Sequence, residues 1–109
     1  MGLATLRCGF MTLESFKQSV ESETEPPQEW PVELQALWCA KHDRWHQAHD
    51  LVQDLSTSMG SWIHAHLHLI EGDLGNAGYW YSRAGKPAGS RDRIDEEWET
   101  IAVAALEQA

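Results

Sequence analysis

The sequence has little cysteine, few basic residues and no long hydrophobic run, and each shortage excludes a class of protein. Two cysteines, Cys8 and Cys39, are too few for a disulfide framework, and no Cys-x-x-Cys motif is present. The 8 Lys and Arg against 17 Asp and Glu give a net charge of −9, which would repel nucleic acids and anionic membranes. No apolar run approaches the ~20 residues of a membrane span, and the first residues lack a signal-peptide pattern. We therefore expect a cytoplasmic protein with reduced thiols and with neither membrane nor nucleic acid as its partner.

Strand patterns and familiar catalytic motifs are missing as well. No segment alternates apolar and polar residues over a useful length, so we expect an all-α fold. The chain has neither a Gly-x-Ser-x-Gly nucleophile motif nor a phosphate-binding glycine loop. Cys39 lies in an apolar helical stripe, which predicts a buried and inert thiol. These patterns favour a protein without catalytic activity.

Tryptophan, in contrast, is abundant. Each indole buries a large area, so several of them can anchor the core of a small helical domain. An aromatic binding surface is the alternative interpretation. Hydrophobic residues make up 42% of the chain, which suffices for one compact domain of this length. The six residues interpreted as core anchors are Trp30, Trp38, Trp45, Trp62, Trp80 and Trp98.

The chain divides into two parts at an acidic, proline-containing segment. Residues 1–28 are predicted to form an N-terminal arm, with a short helix followed by a linker that Pro26-Pro27 prevents from being helical. Met11 would also serve as a translation start, so residues 1–10 are interpreted as an upstream extension. Residues 29–109 are predicted to form the helical domain.

Apolar residues recur at helical spacing through most of the chain. Thr12 is expected to cap the arm helix, Ser61 to cap a later one and Gly72 to end it. The last helix is expected to begin at Ser90 or Asp92. Its apolar stripe, which includes Ile94, Trp98 and Ile101, is expected to cover an otherwise open end of the domain. The other predicted helices cover residues 31–42, about 44–56, 62–71 and about 74–84.

One segment carries a resemblance to a known repeat. Residues 72–84 read Gly-Asp-Leu-Gly-Asn-Ala-Gly-Tyr-Trp-Tyr-Ser-Arg-Ala, which resembles the second helix of a tetratricopeptide repeat. The Gly-Asp turn, the small Ala77, the aromatic cluster, the second alanine Ala84 and the following Pro87 all have counterparts in that repeat. A longer stretch, residues 62–68 followed by 71–73 and 76–84, also resembles a small set of uncharacterised bacterial helical proteins, and this likeness implies no activity.

The preceding helix pair, over residues 31–56, matches the repeat less closely. Asp43 stands where glycine is usual, and Leu55 stands where the second alanine is usual. The offset from Ala48 to Ala77 is 77 − 48 = 29 residues, shorter than the usual period of about 34. The resemblance implies two stacked tetratricopeptide-like helical hairpins, with the C-terminal helix capping them.

This arrangement would place polar side chains in a groove. In tetratricopeptide-like units the first helix of each pair lines the concave side, so we expect a non-catalytic module that binds a protein or peptide without a cofactor. The acidic chain favours a basic or neutral partner, and a remaining apolar face would allow a homodimer. The candidate groove residues are His64, His68 and Glu71 on the 62–71 helix and Asn76, Tyr79 and Arg83 on the 74–84 helix.

A metal site is the alternative use of the same histidines. His64, His68 and Glu71 share one face of a helix, and two imidazoles with a carboxylate form a ligand set that zinc accepts. That reading predicts a small metal-dependent hydrolase, although Ala65 stands where the His-Glu-x-x-His motif needs its glutamate. Hydrogen bonds along a polar helix face are the simpler interpretation of these residues. For His49, on the preceding helix, we expect a hydrogen-bonding role rather than ligation.

Overall fold

The computed structural model describes residues 11–108, and within them the chain forms six α-helices and one 3-10 turn, without a β-strand. The all-α class predicted from the sequence is therefore confirmed. Predictions about residues 1–10, including Cys8 and the upstream extension, lie outside the described residues. None of the described helices is both long and apolar enough to cross a membrane. The helices are α1 (Leu13–Ser22), α2 (Val32–Lys41), α3 (Trp45–Val52), α4 (Ser58–Glu71), α5 (Leu74–Ala84) and α6 (Ile94–Gln108), with the 3-10 turn over Arg91–Arg93.

Local chemistry at the helix ends follows several of the predictions. The Thr12 hydroxyl accepts a hydrogen bond from the Ser15 amide at 3.0 Å, so Thr12 caps α1 as expected. Gly72 ends α4 with a φ of +86°, in the left-handed region that glycine enters without strain. Ser90 accepts a hydrogen bond from the Asp92 amide at 3.3 Å and so caps the 3-10 turn that leads into α6.

The α3–α4 connection differs from the prediction. Helix α3 ends at Val52 rather than near residue 56, and α4 begins at Ser58, one turn before the expected cap. Thr57 is the actual cap, because its hydroxyl accepts from the Gly60 amide at 3.0 Å, whereas Ser61 is buried inside the helix. A Cβ atom on Gly60 would lie 2.6 Å from the Cβ of Leu55, so the close return of the chain at this point requires glycine.

The domain is organised around α4. Helices α2 and α3 pack against each other, as do α4 and α5, and α4 also contacts α2, α3 and α6. The small residues Ala48 and Ala77 are buried, which lets the paired helices approach closely. Every residue of α4 from Met59 to Leu69 is buried, three histidines among them. A helix enclosed on all sides is normally apolar, so these buried imidazoles require specific partners.

The arm and the last helix complete the core. Phe16 of α1 is fully buried, with its ring stacked on Trp98 at a centroid distance of 5.6 Å, so the arm helix packs onto the domain instead of standing apart from it. The indole N–H of Trp98 donates to the Leu37 carbonyl at 2.8 Å, which ties α6 to α2. Ile101 is also fully buried, and Ile94 is partly buried at the edge of the core.

The tryptophans and the cysteine have the surroundings expected of core residues. Trp38, Trp62 and Trp98 are buried, and the other three indoles pack partly buried against the same core. The Cys39 thiol is buried as predicted, and this burial raises its pKa, which makes the reactive thiolate scarce.

Candidate metal centre

Three histidines from two helices meet at the α3–α4 contact. One imidazole nitrogen from each of His49, His64 and His68 lies within 4.8 Å of the other two. The ring centroids of His49 and His64 are 4.6 Å apart, those of His64 and His68 are 5.0 Å apart, and those of His49 and His68 are 5.5 Å apart. We call this group the histidine cluster.

The helices and two tryptophans hold these rings in place. His64 and His68 are one turn apart on α4, so both project towards α3. The indole N–H of Trp45 donates to the Leu67 carbonyl at 2.6 Å, which fixes the start of α3 on α4. The Trp45 ring stacks on His49 at 4.9 Å between centroids, and the Trp80 ring of α5 stacks on His64 at 3.9 Å.

Two imidazoles of the cluster favour the neutral form. Burial, together with the neighbouring His49 and His68, lowers the pKa of His64 to about 4. Burial is also the main cause that lowers the pKa of His49, followed by the charge of His68. Metals bind the neutral form of histidine, so His49 and His64 are in the form that a metal requires at neutral pH. The buried Nδ1 atom of His64 has no hydrogen-bond partner among the described residues.

Glu71 contacts the cluster from outside. Its Oε1 atom lies 2.6 Å from Nδ1 of His68, so this nitrogen donates to the carboxylate and Nε2 remains available as a ligand atom. A carboxylate behind a histidine is the usual outer partner of a metal-binding imidazole. Glu71 and His64 do not belong to the same group of possible ligands. Glu71 instead forms a second group with His68 and Asp73 at the exposed end of α4.

The structure groups the predicted residues differently from the sequence pattern. The pattern placed His64, His68 and Glu71 together, whereas the structure brings His49 to the two histidines and leaves Glu71 beside His68. His49 was expected to make hydrogen bonds instead. Its spacing of four residues from Trp45 was the available signal, because it places both rings on the same face of α3. The docking of that face onto α4 could not be derived from the spacing.

The six candidate groove residues do not share one surface. Only 4% of His64 and 7% of His68 are exposed, so these rings do not line an open groove. The residues on α5 are exposed, and Arg83 donates to the Tyr79 hydroxyl at 3.2 Å while the Asn76 side chain donates to Asp73 at 3.1 Å. Binding of a peptide at this α5 face remains a prediction.

A second polar group lies on the other side of α4. His66, fully buried, has its Nδ1 atom 2.6 Å from the Glu97 carboxylate of α6, and the Tyr81 hydroxyl of α5 donates to both oxygens of that carboxylate at 2.7 and 2.8 Å. Burial acts to raise the pKa of Glu97, but the hydrogen bonds from His66, Tyr81 and Trp62 outweigh it, and the pKa is lowered. Burial and the same carboxylate raise the pKa of Tyr81 far above its ordinary value. This group joins three helices through one ionised side chain.

Comparisons with known proteins identify no relative of this chain. No protein-family model matches the chain, and no curated protein or solved structure is similar to it at a significant level. The functional argument therefore rests on the histidine cluster and its surroundings.

Proposed function

We propose that this protein is a helical zinc-binding module and that His49, His64 and His68 are its ligands. The observation that carries the proposal is the approach of three imidazole nitrogens to within 4.8 Å of one another at a largely buried helix contact. This proposal replaces the expectation of a module without a cofactor. It retains zinc, the metal of the alternative interpretation, but has His49 in the ligand set instead of Glu71.

The donor chemistry supports zinc. Imidazole suits zinc and copper, whereas calcium and magnesium prefer carboxylate and carbonyl oxygens. Zinc–nitrogen bonds of ~2.0–2.1 Å in a tetrahedral site place ligand nitrogens roughly 3.3 Å apart. Since 4.8 Å is the upper limit of the present separations, the three rings would have to move inward by at most about 1 Å. The buried Nδ1 atom of His64 has no hydrogen-bond partner within residues 11–108, so no hydrogen bond there competes with a metal for this ring.

A bound ion would link two helices, α3 and α4, that the hydrophobic core joins only in part. Helix α3 has eight residues, of which Ala48 and Val52 are buried, while Trp45 and Leu51 pack partly buried against the core. An ion bound by His49 of α3 and the two histidines of α4 would hold these helices together. Binding to the folded state alone stabilises it by mass action, by about 2.7 kcal/mol at a free zinc concentration of 100 times Kd.

Isothermal titration calorimetry of untagged protein with zinc tests the proposal. We expect one site in the wild type and its loss in His49→Ala and in His64→Ala. His46→Ala is the matched control, because His46 lies on the same helix as His49 but is exposed and outside the cluster, so zinc binding should be unchanged. Absence of zinc binding in the folded wild type would refute the proposal.

A further variant distinguishes the two possible sets of zinc ligands that include His68, which are the histidine cluster and the group with Glu71 and Asp73. Glu71→Gln should weaken zinc binding by about 10- to 100-fold, as expected when an outer carboxylate partner is lost. If zinc instead bound at His68, Glu71 and Asp73, Glu71→Gln would abolish binding and His49→Ala would have no effect. That pattern would contradict the histidine cluster as the site.

A further inference from the structure

We infer that a metal ion in the histidine cluster keeps one coordination position open, where it holds water that a small monovalent anion can replace. This inference rests on the proposed zinc binding and adds to it the class of exogenous ligand. Zinc in proteins is usually four-coordinate, and sites that supply three protein ligands hold water or substrate in the fourth position.

The described part of the chain supplies three ligands to this group and no fourth. The group comprises His49, His64 and His68 without a carboxylate or thiol. Glu71 lies beside the cluster, but its carboxylate accepts a hydrogen bond from Nδ1 of His68, on the side of the ring away from the nitrogen left for the metal. Cys39 lies in the hydrophobic core instead. The fourth position must therefore be filled from outside residues 11–108.

Solvent has access to the cluster from one side. His64 and His68 are buried, whereas His49 is only partly buried, so solvent reaches the cluster beside His49. Trp80 covers His64 from the opposite helix and closes that direction. A site that opens through one partly exposed ring admits water and small ions more readily than a large substrate.

The charge of the ion itself would attract an anion to this position. Three neutral imidazoles leave the double positive charge of the ion uncompensated within the ligand group. The Arg83 guanidinium lies 5.1 Å from the centroid of the Trp80 ring that stacks on His64 and adds some positive potential. The carboxylates of Glu71 and Asp73 beside His68, and of Asp50 next to His49 in the chain, oppose it and outnumber it, so the attraction comes from the ion.

An open position has a chemical consequence for the zinc-loaded protein. Zinc with three histidine ligands lowers the pKa of its bound water to about 7, so part of that water is hydroxide at neutral pH. Such a ligand is the precondition for the metal-dependent hydrolysis that the sequence offered as an alternative. Exchange of the water for an anion tests this precondition without measuring any activity.

Cobalt(II) is a suitable probe, because it takes the place of zinc and its visible absorption depends on its ligands. We expect the cobalt-loaded wild type and the His46→Ala control to show visible bands that change in a saturable manner when azide is added. Bands that remain unchanged by azide, in protein that demonstrably holds cobalt, would overturn the open position while leaving the proposed metal binding intact. If neither zinc nor cobalt binds, the proposed function and this inference are both wrong.

The second arm of the experiment concerns the thiol outside the described residues. A thiolate ligand would give cobalt an intense near-ultraviolet charge-transfer band, which three imidazoles and water do not produce. We expect no such band in the wild type and an unchanged azide response in Cys8→Ser. A band that is present in the wild type and lost in Cys8→Ser would show that sulfur fills the fourth position, and the inference would then be wrong.

Discussion

Glu97 is a single residue whose ionisation links three helices, and its lowered pKa makes the stability of the fold dependent on pH. His66 on α4 and Tyr81 on α5 stabilise the charged carboxylate in the folded state, whereas the unfolded chain has an ordinary glutamate. The unfolded state therefore binds a proton first as the pH falls. The stabilising contribution is complete above the unfolded pKa of about 4.5 and is lost as the pH falls through the lower folded value.

The pH effect is measurable by denaturant unfolding between pH 7 and pH 3. The free energy of unfolding of the wild type should fall below about pH 5, because the folded state then loses its charge-assisted hydrogen bonds. Glu97→Gln should be less stable at pH 7 and should show a smaller fall over the same range. Equal pH slopes in the two proteins would contradict the assignment, and Glu96→Gln serves as an exposed control on the same helix.

Asp43 has a strained backbone conformation that a substitution can relieve. Its φ of +58° places a residue with a Cβ atom in the left-handed region, at the position compared above with a usual glycine. We expect Asp43→Gly to raise the free energy of unfolding by about 0.5–1 kcal/mol, since relief of backbone strain exceeds the added flexibility of the unfolded chain.

The matched control is Asp50→Gly, because Asp50 is exposed within α3 and has helical geometry. This substitution should lower stability by about 1 kcal/mol, the usual cost of glycine in a helix. Thermal or denaturant unfolding of both variants gives the comparison. Loss of stability in Asp43→Gly would mean that the aspartate side chain contributes more than its backbone strain costs.

At the scale of the helices, two substitutions near the N-terminus of α4 distinguish the observed cap, Thr57, from the predicted one, Ser61. Thr57→Ala removes the hydroxyl that accepts from the Gly60 amide and should cost about 1 kcal/mol. Ser61→Ala should cost less, because Ser61 lies inside the helix, where alanine is the better helix former. Urea unfolding of the two variants decides the point, and a larger effect at Ser61 would contradict the helix boundary.

The helices could be predicted largely because their ends carry local signals. Thr12 and Gly72 act within a few residues of their own position, and α5 runs from Leu74 to Ala84 as expected, with Gly85 at a φ of +71° after its last residue. The start of α4 was misplaced because Thr57 and Ser61 are both suitable caps in sequence. The cap at Thr57 coincides with a close approach of Gly60 to Leu55, and the cap residues themselves do not signal this approach.

For the molecule as a whole, truncation of Trp98 tests whether α6 closes the hydrophobic core. Its ring stacks on Phe16 of α1, and its N–H donates to Leu37 of α2, so truncation affects three helices. Trp98→Ala should cost about 3–5 kcal/mol, as for other fully buried aromatic residues. Val103→Ala, at a position that is 40% exposed on the same helix, should be close to neutral. A loss below about 1 kcal/mol for Trp98→Ala would contradict its place in the core.

The candidate site could be predicted only in part, because it depends on the packing of the whole domain. His64 and His68 were recognisable from their spacing of one turn on a single helix. The partnership with His49 joins residues 15 and 19 positions apart in the chain, 64 − 49 and 68 − 49, and the helix patterns do not specify this pairing. Because α4 is enclosed on all sides, its polar face could not be assigned to a groove from its sequence alone.

The histidines of α4 alternate between two sides of the helix. His66 is separated from His64 by about 200° around the helix axis, so it points to Glu97 of α6 while its neighbours point to α3. A rotation of α4 about its own axis would therefore break the contact with the carboxylate and disperse the imidazoles at the same time. The angular setting of this helix is thus fixed from two opposite directions, and the three clustered imidazoles and the Glu97 carboxylate share one axis of rotation.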